Sequence, residues 1–370
     1  MARAPTEPAG VEAAPPGTLA EDDSVPLLDE RLLGGFSFAC RPDCGLCCFA
    51  SPRITNDDRR ALLAIAPAAE IVARGRDRFL AARPEGGACQ FLQANRCGVH
   101  GGRPTPCRQF PIHVHVGERL QATLVLSCPG LDLRGLAVPP AERRHRPAIG
   151  LDDELGAVRG QIQGETEERL VQARRRRRRI VRRLESQGRW IPESEVRVAL
   201  DSRIPLPSPR QFEVEDPPSA EDGLEQLPLF FDGRPAPVAI ARSLGGWEIL
   251  ELRSEGGVER ALGVYPPPDR PPVLSAEGER RLTDYLRYWL ERDALFGTVL
   301  FEMVESDEGT ALEWVESELL RIGAITVARA SVRARLRGED GRRLAEDDID
   351  RGIRATDQDL LDRPTWGDRL

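Results

Sequence analysis

All eight cysteines of this 370-residue chain fall between Cys40 and Cys128, and four of them, Cys40, Cys44, Cys47 and Cys48, crowd into one short stretch. The others follow as Cys89, Cys97, Cys107 and Cys128. Thiols placed only for packing would not leave everything before residue 40 and after residue 128 without one. Thiolates are the favoured ligands of zinc and of iron–sulfur clusters, and tetrahedral sites draw close-spaced ligands from tight turns. Eight sulfurs are also the number that two four-ligand sites require. The region around residues 40–128 is therefore read as a metal-binding segment whose eight cysteines are the candidate ligands.

The alternatives are a disulfide framework or inert packed thiols. The opening MARAPTEPAG has no basic segment followed by an apolar run, and no stretch approaches ~20 apolar residues, so no membrane span is expected. The expected location is the cytoplasm, where cysteine clusters read as metal or redox sites rather than disulfides. All 52 basic residues are arginine, a compositional bias that weakens arginine as a sign of phosphate binding. The net charge of −8 makes a general nucleic-acid binder unlikely, since such proteins carry a basic face. A protein partner is compatible with this composition.

Periodicity divides the chain into an α+β arrangement of several parts. Residues 1–30, rich in Ala, Pro and acid, read as a disordered tail. A small, loop-rich cysteine domain spans 36–131. Thr55-Asn56-Asp57-Asp58 reads as a helix start, a second helix is expected over 68–82, and the runs Ile112–Val116 and Leu120–Leu126 predict a hairpin that delivers Cys128. Apolar residues at threes and fours predict one long amphipathic helix over 150–187, whose arginines 174–179 are read as a solvated face. A Pro-rich linker is placed at 188–225, a separate α+β domain at 226–337, and an exposed charged tail at 338–370. In the α+β domain, strands are expected at 237–243, 247–253 and 258–265, with helices over 275–295 and 311–322. Metal removal is expected to unfold 36–131 and spare the C-terminal half, because ligation often supplies the folding energy of small metal domains.

The cysteine pattern is C-x3-C-x2-C-C, then C-x7-C-x9-C-x20-C, set in the words FACRPDCGLCC, CQFL, RPTPCRQFP and CPGL. These resemble the YkgJ-type cysteine-cluster family, which implies zinc or iron chelation by all eight cysteines over about 36–131. The family's first spacing is usually C-x2-C, and the longer Cys40–Cys44 interval leaves the fourth ligand of that group open. Clustered thiolates need compensating charge or N–H donors. Arg103 and Arg108, which bracket Cys107, are read as that second layer, and Gly45 as the turn that aims amides at sulfur. Cys40, Cys44 and Cys47 are assigned to one centre, with Cys48 turned to another partner. His100, His113 and His115 are read as surface or hydrogen-bonded groups rather than ligands.

Three functions compete. C-x3-C-x2-C is also the cluster loop of radical SAM enzymes, but Leu46 stands where those enzymes commonly carry an aromatic, and the alternating strand–helix pattern of a partial barrel is missing. Flagellin lysine-N-methylases carry a similar cysteine cluster, yet the pairs Gly245-Gly246 and Gly256-Gly257 read as hairpin turns, not as a SAM loop. The third reading is a structural zinc module for protein–protein contact. Between zinc and an iron–sulfur cluster, the clustered C-x3-C-x2-C leans toward iron–sulfur, with a possible redox role. No residue after His145 is a cysteine or histidine, so any chemistry is assigned to the cysteine region.

Overall fold

The computed structural model of the protein describes residues 28–41, 44–49, 52–75, 77–83, 87–117, 119–162, 166–208, 227, 229–230, 237–266 and 271–361. The expected tail up to residue 27 and the linker portion 209–226 lie outside the described residues. Helices and sheets are both present, as an α+β chain requires.

The cysteine region opens with β1 (Leu28–Asp29). Thr55 and Asp58 then exchange side-chain and backbone hydrogen bonds in a capping box that starts α1 (Asn56–Ile65). The expected helix over 68–82 is instead a hairpin of β2 (Ile71–Arg74) and β3 (Asp77–Leu80). Ile71, Val72 and Phe79 are strand formers, and Gly75 between the strands sits at φ +64°, outside the helical region. A second small hairpin joins β4 (Leu92–Gln93) to β5 (Arg96–Cys97). The short helix α2 (Thr105–Gln109) precedes the expected hairpin of β6 (Ile112–Val116) and β7 (Leu120–Leu124), and β1 adds in parallel to the free edge of β7.

Next come α3 (Pro140–Arg143), α4 (Asp152–Ile162), α5 (Thr166–Ser186) and α6 (Glu193–Asp201). The single helix expected over 150–187 is thus two, with residues 163–165 between them outside the described residues. α6 falls inside the expected linker because Val196 and Leu200, one turn apart, are both buried. In α5, Ala173, Arg177, Val181 and Leu184 face inward, and Arg177 pairs with Glu193 of α6, while Arg175, Arg176, Arg179, Arg182 and Arg183 face outward.

The C-terminal part holds β8 (Leu229–Phe230), β9 (Val238–Ser243), β10 (Gly246–Leu252) and β11 (Val258–Tyr265) in one antiparallel sheet, ordered β11-β10-β9-β8. The two glycine pairs lie at its hairpin connections, as expected. β12 (Val273–Leu274) pairs in parallel with β13 (Arg343–Leu344). Four helices complete the chain: α7 (Ala276–Glu291), α8 (Asp293–Glu305), α9 (Ala311–Leu336) and α10 (Glu346–Leu361). The expected helix over 275–295 breaks at Arg292, whose backbone is extended, and the helix expected to end at 322 runs on to Leu336. Over 346–361, α10 departs from the expected exposed tail of 338–370: Ile349, Ile353 and Leu360 are buried, and its charges lie on the same helix as this apolar stripe, while 362–370 lie outside the described residues.

Alternation along the strands places the sheet between two layers. Ala239, Ala241, Leu250 and Leu252 pack onto the cysteine lobe against Cys48, Ile54, Leu80 and Cys89. Val238, Ile240, Trp247 and Ile249 face the other way, onto Ala328 and Val332 of α9 and Ala355 of α10. A third core joins Ile112, Leu124, Leu126 and Cys128 to Tyr285, Tyr288, Phe296 and Leu360. The end of the cysteine region therefore shares its interior with the C-terminal helices and does not form a core of its own.

One buried ion pair fastens that junction. Arg292 and Asp357 are both fully buried and bond through both carboxylate oxygens, at 2.6 and 3.0 Å. Arg292 also donates to Thr123 Oγ1 (3.0 Å) and Leu124 O (2.6 Å) and lies over the rings of Tyr288 and Trp289. Asp357 accepts the Leu126 N–H (2.7 Å) and the Tyr285 hydroxyl (3.0 Å). Removing one member strands the other charge in the interior, a loss of about 3–5 kcal/mol. Asp357→Ala is expected to lower the urea midpoint accordingly, and Arg292→Met with Asp357→Leu to lower it less. A single variant as stable as the parent would refute this account.

Candidate metal centre

Local turns bring the sulfurs together. Gly45, at φ +61°, reverses the chain after Cys44 so that the Cys48 N–H reaches Gly45 O (2.9 Å) in a 3-10 turn over Leu46–Phe49. Cys48 O then accepts the Cys89 N–H at 2.6 Å, which docks the first cysteine group on the second. The β4–β5 hairpin carries Cys97 back beside Cys89, and α2 supplies Cys107 from a turn in which Pro104 O accepts the Cys107 N–H (2.9 Å).

Cys47, Cys48, Cys89, Cys97 and Cys107 line one small cavity of about 20 Å³, together with Arg103 and the apolar walls Leu80, Phe91 and Val99. That is room for roughly one water-sized sphere. The Cys48 thiol is in hydrogen-bonding contact with both Cys47 and Cys97. Cys40, Cys44 and Cys128 lie outside the cavity lining; the charge of Cys47 acts on all three, and that of Cys44 acts on Cys128 as well. All eight cysteines are free thiols. The vicinal sulfurs do not diverge as expected, since Cys47 and Cys48 touch and line the same cavity.

Protonation follows from these contacts. Hydrogen bonding to Cys48 holds Cys47 below the ordinary thiol range and brings Cys97 down to about 6, while Cys48, as the donor, is pushed far up. Burial raises Cys44 and Cys89 to about 11 and Cys128 to about 12, and raises Cys40 and Cys107 too. Backbone donors oppose this at four positions with one geometry: Cys44, Cys89, Cys97 and Cys128 each accept the N–H of the residue two further on, Leu46, Phe91, Val99 and Gly130. An N–H aimed at sulfur favours the thiolate, the form that binds metal.

With this geometry in view, residues 39–129 match the model of one family, CxxCxxCC, described as "Putative zinc- or iron-chelating domain". The first cysteine group of this chain reads C-x3-C-x2-C-C, one residue longer at the first interval than the family's name. The match spans the eight cysteines and stops before α3. No curated protein and no solved structure matches the chain.

A donor set of sulfurs suits a thiophilic ion such as zinc or iron. Thiolates around one zinc at ~2.3 Å stand about 3.8 Å apart, which is the spacing of sulfurs in mutual hydrogen-bond contact. Among the described residues, no three Cys, His, Asp or Glu side chains stand in finished ligand positions, so the thiols are gathered and still share protons. Loss of those protons would accompany ligation.

Of the two arginines that bracket Cys107, Arg103 lies at the cavity and Arg108 does not. Arg103 lines the cavity with its buried Nε free of any hydrogen bond, and its charge favours the thiolates of Cys40, Cys47, Cys97 and Cys107. Arg108 is exposed and donates to Thr105 Oγ1 (3.0 Å), because the step from Cys107 to the next helical position, about 100° around α2, carries it off the cysteine face. None of the three histidines lines the cavity: His100 is exposed, His113 is half-buried, and His115 is fully buried and not on the surface. Sequence reading missed two contributors. Glu154 of α4 places a carboxylate whose charge reaches Cys40 and Arg103. Arg354 of α10 donates to Cys128 O and its charge reaches the Cys128 thiol. The Ile349–Ile353–Leu360 stripe would have revealed α10, but nothing in the sequence joins it to Cys128.

Gly45 gives a direct test of the turn. A methyl there would sit 2.8 Å from Leu92 Cδ1 in addition to the left-handed strain, whereas Gly75 has the same strain and nothing within 4 Å. Gly75→Ala is expected to cost about 1–2 kcal/mol, and Gly45→Ala distinctly more, by thermal denaturation of the metal-loaded protein. Equal losses would remove the packing role of Gly45.

Proposed function

We propose that the cysteine region binds zinc or iron as a single ion in the inner cavity, held by Cys47, Cys48 and Cys97 with a fourth sulfur from Cys89 or Cys107, while Cys40, Cys44 and Cys128 lie outside it. The small cavity carrying five sulfurs and one guanidinium supports this reading most directly. A cubane iron–sulfur cluster would place each thiolate on a different iron and spread the sulfurs apart, whereas Cys47, Cys48 and Cys97 are in contact. Arg103 offsets part of the negative charge that four thiolates leave on a divalent ion. When bound, the ion would supply a bridge between the 44–49 turn, the 89–97 hairpin and α2, beside the core in which Phe49, Leu92 and Phe91 meet. The function is thus metal chelation that locks a lobe against the sheet; the C-terminal half provides the surface on which the lobe is built.

Two measurements check this. Full-length protein purified without oxygen is expected to be colourless or faintly coloured and to contain zinc or iron with no inorganic sulfide. A brown protein with stoichiometric sulfide would replace the single-ion reading with the cluster. Cys47→Ser, Cys48→Ser and Cys97→Ser are each expected to remove most of the metal, and Cys40→Ser little; full metal content in Cys48→Ser would sink the assignment. Stripping the metal with a chelator is further expected to speed amide exchange in 44–49 and 89–107, and to leave 112–126 protected by the core shared with the C-terminal helices. Loss of protection across all of 36–131 would instead support an independently metal-folded domain.

A further inference from the structure

A groove on the cysteine lobe, lined by none of the sulfurs, runs between α1 and the β2–β3 hairpin. Arg59 and Leu63, one turn apart on α1, form one wall, and Ala69, Ile71, Ala73 and Arg78 form the floor around an open space of about 320 Å³. The hairpin register sets Ala73 opposite Arg78 and Ile71 opposite Leu80, so Ile71, Ala73 and Arg78 share one face. Arg78 donates to Asn56 Oδ1 (2.9 Å) at the first residue of α1, which puts it at the same end of the groove as Arg59. Leu63, Ala69 and Ile71 make the other end apolar. The aspartates around the cationic end are engaged elsewhere: Asp57 pairs with Arg60, Asp77 pairs with Arg53 (3.1 Å), and Asp58 bonds to Thr55 and Thr105. Arg59 is exposed and makes no ion pair or side-chain hydrogen bond among the described residues.

The floor of this groove is also an open strand edge. Arg78 O accepts the Ile54 N–H (2.8 Å) and the Leu80 N–H donates to Pro52 O (3.0 Å), so these two residues of β3 turn their backbone away from β2. Backbone direction alternates along a strand, which leaves Asp77 and Phe79 to bond Arg74 and Val72. Ile71 and Ala73 therefore aim their own N–H and C=O outward, where β2 has no neighbouring strand among the described residues. An edge of this kind accepts an added strand. We propose that the groove binds an extended acidic peptide of a partner protein, whose backbone pairs with the free edge of β2. One carboxylate of the peptide lies between Arg59 and Arg78, and an apolar side chain two residues along, on the same face of the added strand, rests on Leu63 and Ile71. Two guanidinium groups at one open end suit a carboxylate, which accepts from both.

Fluorescence anisotropy of the full-length protein with a dye-labelled, end-blocked peptide Thr-Glu-Thr-Val-Thr-Val tests this. The peptide is expected to bind, and to bind about ten-fold more weakly when its Glu is replaced by Gln. Arg59→Gln and Arg78→Gln are each expected to weaken the Glu peptide by a similar factor, to leave the Gln peptide nearly unaffected, and to keep the parent melting temperature. N-methylation of one alternate set of peptide amides is expected to abolish binding, and methylation of the other set to leave it. Amide exchange at Ile71 and Ala73 is expected to slow in the complex. Absence of binding, equal affinity for the Glu and Gln peptides, or indifference to methylation of either set would each overturn the proposal. Displacement of the peptide by an equal concentration of free valerate would replace it with a site for small amphipathic anions. A dimer of the peptide-free protein that Arg59→Gln dissociates would seat a second copy in the groove, and so overturn it too.

Discussion

The Arg292–Asp357 pair is the constraint on which the remaining structure turns. Arg292 interrupts the helical run after α7 so that its guanidinium points inward, and there it meets a carboxylate from α10, a hydroxyl from β7 and a carbonyl at the strand end. Two charges at that depth persist only when every donor and acceptor is used. The requirement fixes the break between α7 and α8, the rotation of α10 about its axis, and the height of the β7 strand end. Cys128 follows that strand end by four residues, so the same pair decides where the last sulfur lies.

The cysteine lobe obeys a different economy. Its apolar interior is built on Phe49, Ile54, Leu62, Leu80 and Leu92, and its turns are held by backbone bonds such as Cys89 N–H to Cys48 O and by the wall of Ala and Leu that the sheet presents. Cys48 hydrogen-bonds to Cys47 and Cys97, and the tendency of the thiols to ionise is balanced between burial, which opposes it, and aimed N–H groups with Arg103, which favour it. A divalent ion resolves that balance by replacing protons with a stronger positive charge. This is the physical sense in which a gathered set of thiols is a chelating site before it is a finished one.

Two sources of order therefore meet across the four-stranded sheet. On one face, hydrophobic packing with α9 and α10 is complete in the chain itself; on the other, thiol chemistry leaves a place for an ion. Arg354 of α10, bonded to Cys128 O, is one polar link between them. A metal-binding lobe built on such a base would be rigid at the sheet and adjustable at the rim, where Cys40 is exposed.

By itself the sequence determined the chemistry of the site: eight thiols in one region, the turn at Gly45, the capping box at Thr55, the β6–β7 hairpin and the three long strands all follow from local spacing. Arg103 was also legible, because its neighbours Pro104 and Cys107 confine it near sulfur, whereas Arg108 was not separable from it without the helical rotation of α2. What only tertiary structure decided were the relations between distant segments. A glycine-punctuated run at 68–82 has helical and strand readings of similar strength, and contact with Arg53 and the lobe interior selects the strand. The charges of 346–361 read as a solvated tail until Arg292 gives Asp357 a buried partner. Cys47 and Cys48, adjacent in the chain, converge because Cys97 arrives from another hairpin to share their proton. Local propensity acts over a few residues, while buried charge and shared ligands act between segments separated by hundreds, and it is the second kind of force that assembled this site.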